Sequence, residues 1–205
     1  MSSLVNQLIK DGYLKKEAII EAFSEISRIE FVPKELELQA EANVALPIGC
    51  GQTVSQPLTV AFMLELLDPL PGHKVLDIGS GSGWTTALLA HIVGPEGKVF
   101  GLERISKIFD QSKKNIAKFG YIEKGIVEIY NGDGSQGLKE KAPYDRILVS
   151  AESNNVPEAL KEQLKIGGKM VLPVNGSIKY LEKKEDEFYE EDYPGFSFVP
   201  LIIDN

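Results

Sequence analysis

A short buried strand that runs into a glycine-rich turn and then a helix constrains this 205-residue chain more than any other feature. Val75-Leu76-Asp77-Ile78 is followed by Gly79-Ser80-Gly81-Ser82-Gly83 and then Trp84-Thr85-Thr86. Such a turn brings bare backbone close to a ligand at the carboxyl edge of a parallel sheet. The spacing is G-x-G-x-G, whereas the dinucleotide fingerprint is G-x-G-x-x-G. Trp84 stands where that last glycine would permit close helix–strand packing. A dinucleotide fits this loop poorly.

The rest of the chain agrees with an α/β fold. Lys98–Glu103, Ile126–Tyr130, Tyr144–Ser150 and Gly168–Val174 read as further strands, alternating with helical stretches at Trp84–Val93, Ser106–Phe119 and Pro157–Leu164. Strands with near-continuous apolar cores alternating with helices predict a parallel sheet covered on both faces. Beyond Gly176, Tyr180–Lys183 and Phe196–Leu201 flank the acidic stretch Glu185–Asp192, read as a solvated turn between two antiparallel strands. Before the sheet, Leu4, Leu8, Ile9 and then Ala18, Ile19, Ala22, Phe23, Ile26 recur at the helical period. The expectation is a doubly wound, mostly parallel, Rossmann-like seven-stranded sheet with antiparallel C-terminal strands and an N-terminal helical extension. One domain should span 1–205: the extension and a substrate loop over 1–53, the cofactor-binding core over 54–175, and the C-terminal strands over 176–205.

Two acids beside the loop define the ligand. Glu103 ends the second strand, where a carboxylate can accept from both hydroxyls of a ribose. Asp133, in Asn131-Gly132-Asp133-Gly134 after the third strand, can accept from an adenine amino group. A glycine loop with acids and no lysine suits ribose, adenine and a cation without phosphate. S-adenosylmethionine meets that description. With 22 basic and 30 acidic residues the net charge is −8, which speaks against a nucleic-acid partner. Two histidines and one cysteine exclude an ordinary structural zinc site and a disulfide framework. No apolar run is long enough to span a membrane and no signal peptide is visible, so a cytoplasmic protein is expected.

D-I-G-S-G-S-G with Glu103 resembles the class I S-adenosylmethionine-dependent methyltransferases. The stretch Leu46-Pro47-Ile48-Gly49-Cys50-Gly51-Gln52-Thr53-Val54-Ser55-Gln56-Pro57 narrows the resemblance to the protein-L-isoaspartate O-methyltransferases. Arg28-Ile29-Glu30-Phe31-Val32-Pro33, Ala142-Pro143-Tyr144-Asp145, the Gln163–Val174 stretch and Phe198-Val199-Pro200-Leu201 are similar too, in order along nearly the whole chain. The resemblance implies methyl transfer to the free carboxylate of isoaspartyl residues in damaged proteins or peptides, leaving S-adenosylhomocysteine. It implies cofactor contacts from Gln52, Thr53, Val54, Asp77, Gly79, Ser80, Gly81, Ser82, Gly83, Glu103, Arg104, Gly132, Asp133 and Gly134. It places substrate contacts at Thr53, Val54, Ser55 and Ala151, with no metal, no membrane and a monomeric enzyme.

Ser55 is the expected active-site serine, and the same residue before Gln-Pro also reads as the N-cap of a helix over Gln56–Leu67. Cys50 reads as a small loop residue, His73 as a turn residue and His91 as a half-buried surface residue. Four positions depart from the family pattern: Glu41 and Ala42 before the Leu-Pro-Ile-Gly stretch, Glu152 after Ala151, and Trp84 in place of the usual tyrosine, a conservative exchange. An acid aimed into the pocket would repel a carboxylate, so Glu152 either faces solvent or signals another acceptor. The competing readings are a carboxyl methyltransferase for a dedicated peptide or other acceptor, and a non-catalytic cofactor-binding homologue.

Overall fold

The computed structural model describes residues 1–202; residues 203–205, the end of the expected C-terminal segment, lie outside the described residues. Helices α1 (Ser3–Lys10) and α2 (Glu17–Glu25) bury Leu4, Val5, Leu8, Ile19, Ala22 and Phe23, the apolar face read from the period. The expected substrate loop contains a two-stranded hairpin, β1 (Leu46–Gly49) and β2 (Gln52–Val54). Its two-residue turn is Cys50-Gly51, both at positive φ, as a primed hairpin turn requires. Helix α3 (Pro57–Leu67) follows.

Next come β3 (Lys74–Ile78), α4 (Trp84–Val93), β4 (Lys98–Glu103), α5 (Ser106–Ala117), β5 (Val127–Asn131), β6 (Tyr144–Val149), α6 (Glu158–Glu162), β7 (Leu164–Val174), β8 (Ser177–Lys183) and β9 (Phe188–Pro194). One seven-stranded sheet has the order β5-β4-β3-β6-β7-β8-β9. Its first five strands are parallel, and β8 and β9 add antiparallel.

Side chains alternate across the sheet as strand geometry dictates. Val75, Val99, Leu148 and Val171 join one core with the N-terminal helices, α3 and α4. Leu76, Phe100, Ile147 and Met170 join a second core with Leu160 of α6 and Tyr144. Each such side chain contributes about 1.5–3 kcal/mol by leaving water. The second face is covered thinly, by the five-residue α6 and short 3-10 turns at Gly134–Gln136 and Lys139–Lys141.

The last strand differs from expectation. It is Phe188–Pro194 rather than Phe196–Leu201, and only the start of the acidic stretch turns. Glu190 and Asp192 sit on this edge strand and pair with Lys179 of β8, so the acids guard an open sheet edge. Phe196–Leu201 instead crosses back over the carboxyl edge of the parallel strands, where Pro200 bridges Glu152. A proline has no N–H for a ladder, which suits a crossing segment better than a strand interior.

Candidate active site

In the strand order the chain reverses direction between β3 and β6, which opens a crevice at their carboxyl ends. Gly79 leaves β3 at this point, and a methyl group placed there would lie 3.7 Å from the Ala151 Cβ beyond β6. Gly79, Gly81 and Gly83 all have positive φ, a conformation that side chains disfavour. Gly83 also permits close packing: a Cβ there would stand 2.8 Å from Ser112 Oγ and 2.9 Å from Ile116 on α5. The Trp84 indole therefore does not obstruct the loop. It turns inward, donates to the Ile26 carbonyl at 3.3 Å and meets Phe23 edge-on.

The loop floors a cleft of about 820 Å³, counting its open mouth. Gln52, Thr53, Val54, Ser55, Gly79, Ser80, Gly81, Ser82, Glu103, Arg104, Gly132, Gly134 and Ala151 line it, so most of the residues singled out from sequence share one wall. Glu103 is 7% exposed and rigidly held. Its Oε2 accepts the Gly81 N–H at 3.0 Å and its Oε1 the Ile105 N–H at 2.8 Å. Each oxygen keeps acceptor capacity for a further donor, such as a pair of vicinal hydroxyls. Ser80 Oγ is buried in the wall and has no hydrogen-bond partner among the described residues.

The structure does not bring Asp77, Gly83 or Asp133 to this wall. Asp77 is fully buried beneath the loop and accepts from Thr85 and Thr86 hydroxyls at 2.9 and 2.6 Å, tying β3 to the first turn of α4. Burial pushes its carboxyl up to about 6, against the pull of the two hydroxyls, and Glu103 adds repulsion. Asp133 accepts the Ser135 N–H at 2.8 Å and caps the short turn after β5, while Gly132 and Gly134 on either side reach the cleft.

Ser55 sits where the cleft meets a second groove, formed with Ala45, Gln56, Ser197 and Phe198. It is not the helix cap. Gln56 occupies that position without a side-chain bond, and Asn43 Oδ1 accepts the Leu58 N–H at 2.9 Å in its place. The Ser55 hydroxyl thus has no capping duty. Behind Ser55 lies Arg28, buried among backbone carbonyls and passed over in the sequence except within a motif. An arginine between apolar Ile26 and Phe31, next to a buried helix face, was the available signal.

Glu152 faces neither open solvent nor the cleft. Its Oε1 accepts the Gly176 N–H at 2.8 Å and its Oε2 the Phe198 N–H at 3.2 Å. Its backbone pairs with Val199 and Leu201. The carboxylate clips the Phe196–Leu201 segment over the site, and Val199, Pro200 and Leu201 become a cleft wall that the expected strand assignment hid. Glu41 accepts from Ser3 Oγ at 2.8 Å, and the Ala42 carbonyl accepts from Arg28 at 3.2 Å. None of Glu41, Ala42 and Glu152 lines the cleft or the groove, whereas Trp84 does line the cleft.

Cys50 is exposed in its turn; His73 Nδ1 accepts the Leu70 N–H, and His91 lies 3.3 Å from the Tyr121 hydroxyl. Among the described residues no His, Cys, Asp and Glu cluster could hold a metal, and no helix is long and apolar enough to cross a membrane.

The family profile of protein-L-isoaspartate(D-aspartate) O-methyltransferase matches residues 1–205. A protein of Methanopyrus kandleri named protein-L-isoaspartate O-methyltransferase is 47% identical over 204 residues, 97% of this chain and 89% of that protein. A solved structure of a protein-L-isoaspartate O-methyltransferase has a TM-score of 0.86 at 30% identity, covering 96% of this chain and 64% of that one. Another, a β-aspartate methyltransferase from Plasmodium falciparum in complex with S-adenosyl-L-homocysteine, has a TM-score of 0.87 at 22% identity. It covers 98% of this chain and 97% of that chain, a likeness of fold.

Proposed function

The chain belongs to the protein-L-isoaspartate(D-aspartate) O-methyltransferase family, and on that premise we propose that the cleft and the adjoining groove are its two reactant sites, with Ser55 at their junction. The enzyme transfers a methyl group from S-adenosylmethionine to the free carboxylate of L-isoaspartyl residues in damaged proteins or peptides. The observation that carries the site assignment is the position of Ser55, common to both cavities, with a hydroxyl that does not cap α3.

The residues present fit the cofactor. Glu103 offers two acceptor oxygens for ribose hydroxyls, Ser80 Oγ is an unpartnered donor in the wall, and the turn presents backbone without side chains. Gly132, Gly134 and Ile105 bound the end of the cleft where an adenine would lie, and Asp133 holds the shape of that turn. When bound, S-adenosylmethionine supplies an electrophilic methyl group on a positively charged sulfonium.

The chain's own task is placement. An acceptor carboxylate is ionised at pH 7 and needs no general base. Ser55 would donate to one carboxylate oxygen and leave the other aimed across the junction, while Val54, Ala151 and Val199 exclude water. Thr53, Ser197, Phe198 and Val199 line the groove and would hold an extended peptide by its main chain. A methylene shifted between side chain and backbone is worth only ~1–3 kcal/mol to an apolar pocket, so reading the main chain is needed for selectivity.

We read the chain as one working unit over 1–205, with 1–53 supplying the N-terminal extension and substrate loop, 54–175 the cofactor core and 176–205 the C-terminal antiparallel strands. We read it too as a cytoplasmic monomer without a nucleic-acid partner, on the net charge of −8 and the acid-guarded sheet edge. Radiolabelled methyl transfer to paired aspartyl and isoaspartyl peptides of one sequence tests the function. Label confined to the isoaspartyl member is expected, and equal labelling of both would overturn the reading.

A further inference from the structure

Arg28 is 4% exposed and lies behind the groove wall. Its Nη1 donates to the carbonyls of Ala40 and Ala42 at 3.0 and 3.2 Å. Its Nη2 donates to Val44 at 2.8 Å, Ser55 at 3.0 Å and, more weakly, Val54 at 3.4 Å. The guanidinium also stacks over Trp84, 5.3 Å from the ring centre, and Trp84 itself lines the cofactor cleft. One side chain therefore ties the loop from Ala40 to Val44, the end of β2 and the glycine loop's helix into one body.

Its charge is what needs explaining. Burial alone pulls the guanidinium down to about 10, so it stays protonated at neutral pH. Glu37 and Glu41 border a small cavity beside it, but among the described residues no carboxylate pairs with it, and its Nε has no partner. Carbonyl dipoles offset part of the desolvation, yet a buried cation without a counter-ion is unfavourable. An anion docked at Ser55, one residue's breadth away, would be attracted by it through a medium that screens poorly.

We infer that Arg28 is a positioning residue that fixes the Val54–Ser55 backbone and presents a fixed positive charge behind it, so that the groove takes an ionised carboxylate in preference to a neutral acceptor. This rests on the groove being the acceptor site. It adds to the acceptor choice that Ser55 provides, because a hydroxyl also donates to an amide oxygen, though less strongly than to a carboxylate. Lysine would keep the charge but lose the planar fork that reaches several carbonyls at once.

The test compares Arg28→Met and Arg28→Lys with the parent enzyme. Calorimetry with S-adenosylhomocysteine present measures binding of an isoaspartyl peptide and of the same peptide with that carboxylate converted to an amide. The parent enzyme should prefer the carboxylate. Arg28→Met should lose at least tenfold of that preference while S-adenosylhomocysteine affinity stays within twofold. Arg28→Lys should keep most of the preference and lose kcat about tenfold, because the Ser55 backbone is held less firmly. An unchanged preference in Arg28→Met, or equal losses in cofactor and peptide affinity, would make Arg28 a structural clamp only. Should the methionine variant fail to fold, Arg28→Lys decides: parental kcat there overturns the positioning role. A parent enzyme that binds both peptides but methylates neither would overturn the functional reading, while the binding ratio still tests Arg28.

Discussion

Ser55, just after β2, and Glu103, at the end of β4, line one cleft with the glycine loop. Because Asn43 rather than Ser55 bonds the first turn of α3, the two substitutions should separate cleanly. Ser55→Ala should leave stability within about 0.5 kcal/mol, as expected where no structural bond is lost. Its turnover should fall ~10²-fold through misplacement of the acceptor oxygen, with S-adenosylhomocysteine affinity unchanged. Asn43→Ala should do the reverse, costing about 1 kcal/mol of stability and little turnover per folded molecule. Thermal melts and single-turnover rates on the same preparations distinguish them, and a fully active Ser55→Ala enzyme would remove that serine from the site. Glu103→Gln keeps the shape but loses the charge and one acceptor oxygen. Hydrogen bonds to a charged group are worth about 1.5–3 kcal/mol, so calorimetry should show cofactor binding weakened on the order of ten- to a hundredfold. Unaltered affinity would mean that the carboxylate serves only the Gly81 and Ile105 N–H groups.

The crossing segment Phe196–Leu201 is the element that the carboxylate of Glu152 holds in place. Phe196 stacks on Phe62 at 5.3 Å and fixes its start; Glu152 fixes the rest through Gly176, Phe198, Val199 and Leu201. Glu152→Ala would leave the Gly176 and Phe198 N–H groups without their acceptor. Amide hydrogen exchange at Phe198 and Leu201 should then speed up at least tenfold, while amides of β3 and β6 exchange as before. The peptide KM should rise, since Ser197, Phe198 and Val199 line the groove. Unchanged exchange in the segment would show that Phe196 packing alone secures it. The parallel strands were legible in the sequence because strands buried on both faces are continuous apolar runs, and the loop after Ile78 because its glycines leave little else possible. The crossing segment was not. Phe196–Leu201 has the apolar content of a strand, and the true edge strand is disguised by Glu190, Glu191 and Asp192. Glu152 and Arg28 were opaque for a common reason: their partners are backbone groups distant in sequence, which no residue type announces.

For the molecule as a whole, Asp77 couples stability to pH at the centre of the sheet. It is fully buried, and among the described residues its Oδ1 has no partner and no cation balances it. Its carboxyl stands at about 6 in the folded chain, against 3.8 for an ordinary aspartate, chiefly through burial. Between those values the folded state binds a proton that the unfolded chain has released. Stability from this group therefore falls as pH rises from about 4 to about 6, and its cost is complete above 6. The difference corresponds to about 3 kcal/mol. Most carboxylates that form ion pairs behave in the opposite sense; Asp68, held down to about 2 between Lys16 and Lys169, stabilises the fold until the pH drops well below 4. Asp77→Asn removes only the first of these effects and keeps an acceptor for the Thr85 and Thr86 hydroxyls. In urea unfolding at pH 7.5 and 4.5, the parent protein should gain on this variant by about 2 kcal/mol at the lower pH, where the unfolded aspartate is still mostly ionised. The comparison cancels contributions from every other carboxylate, so a difference independent of pH would mean that Asp77 keeps its charge across the range, neutralised by a group that faces its unpartnered oxygen.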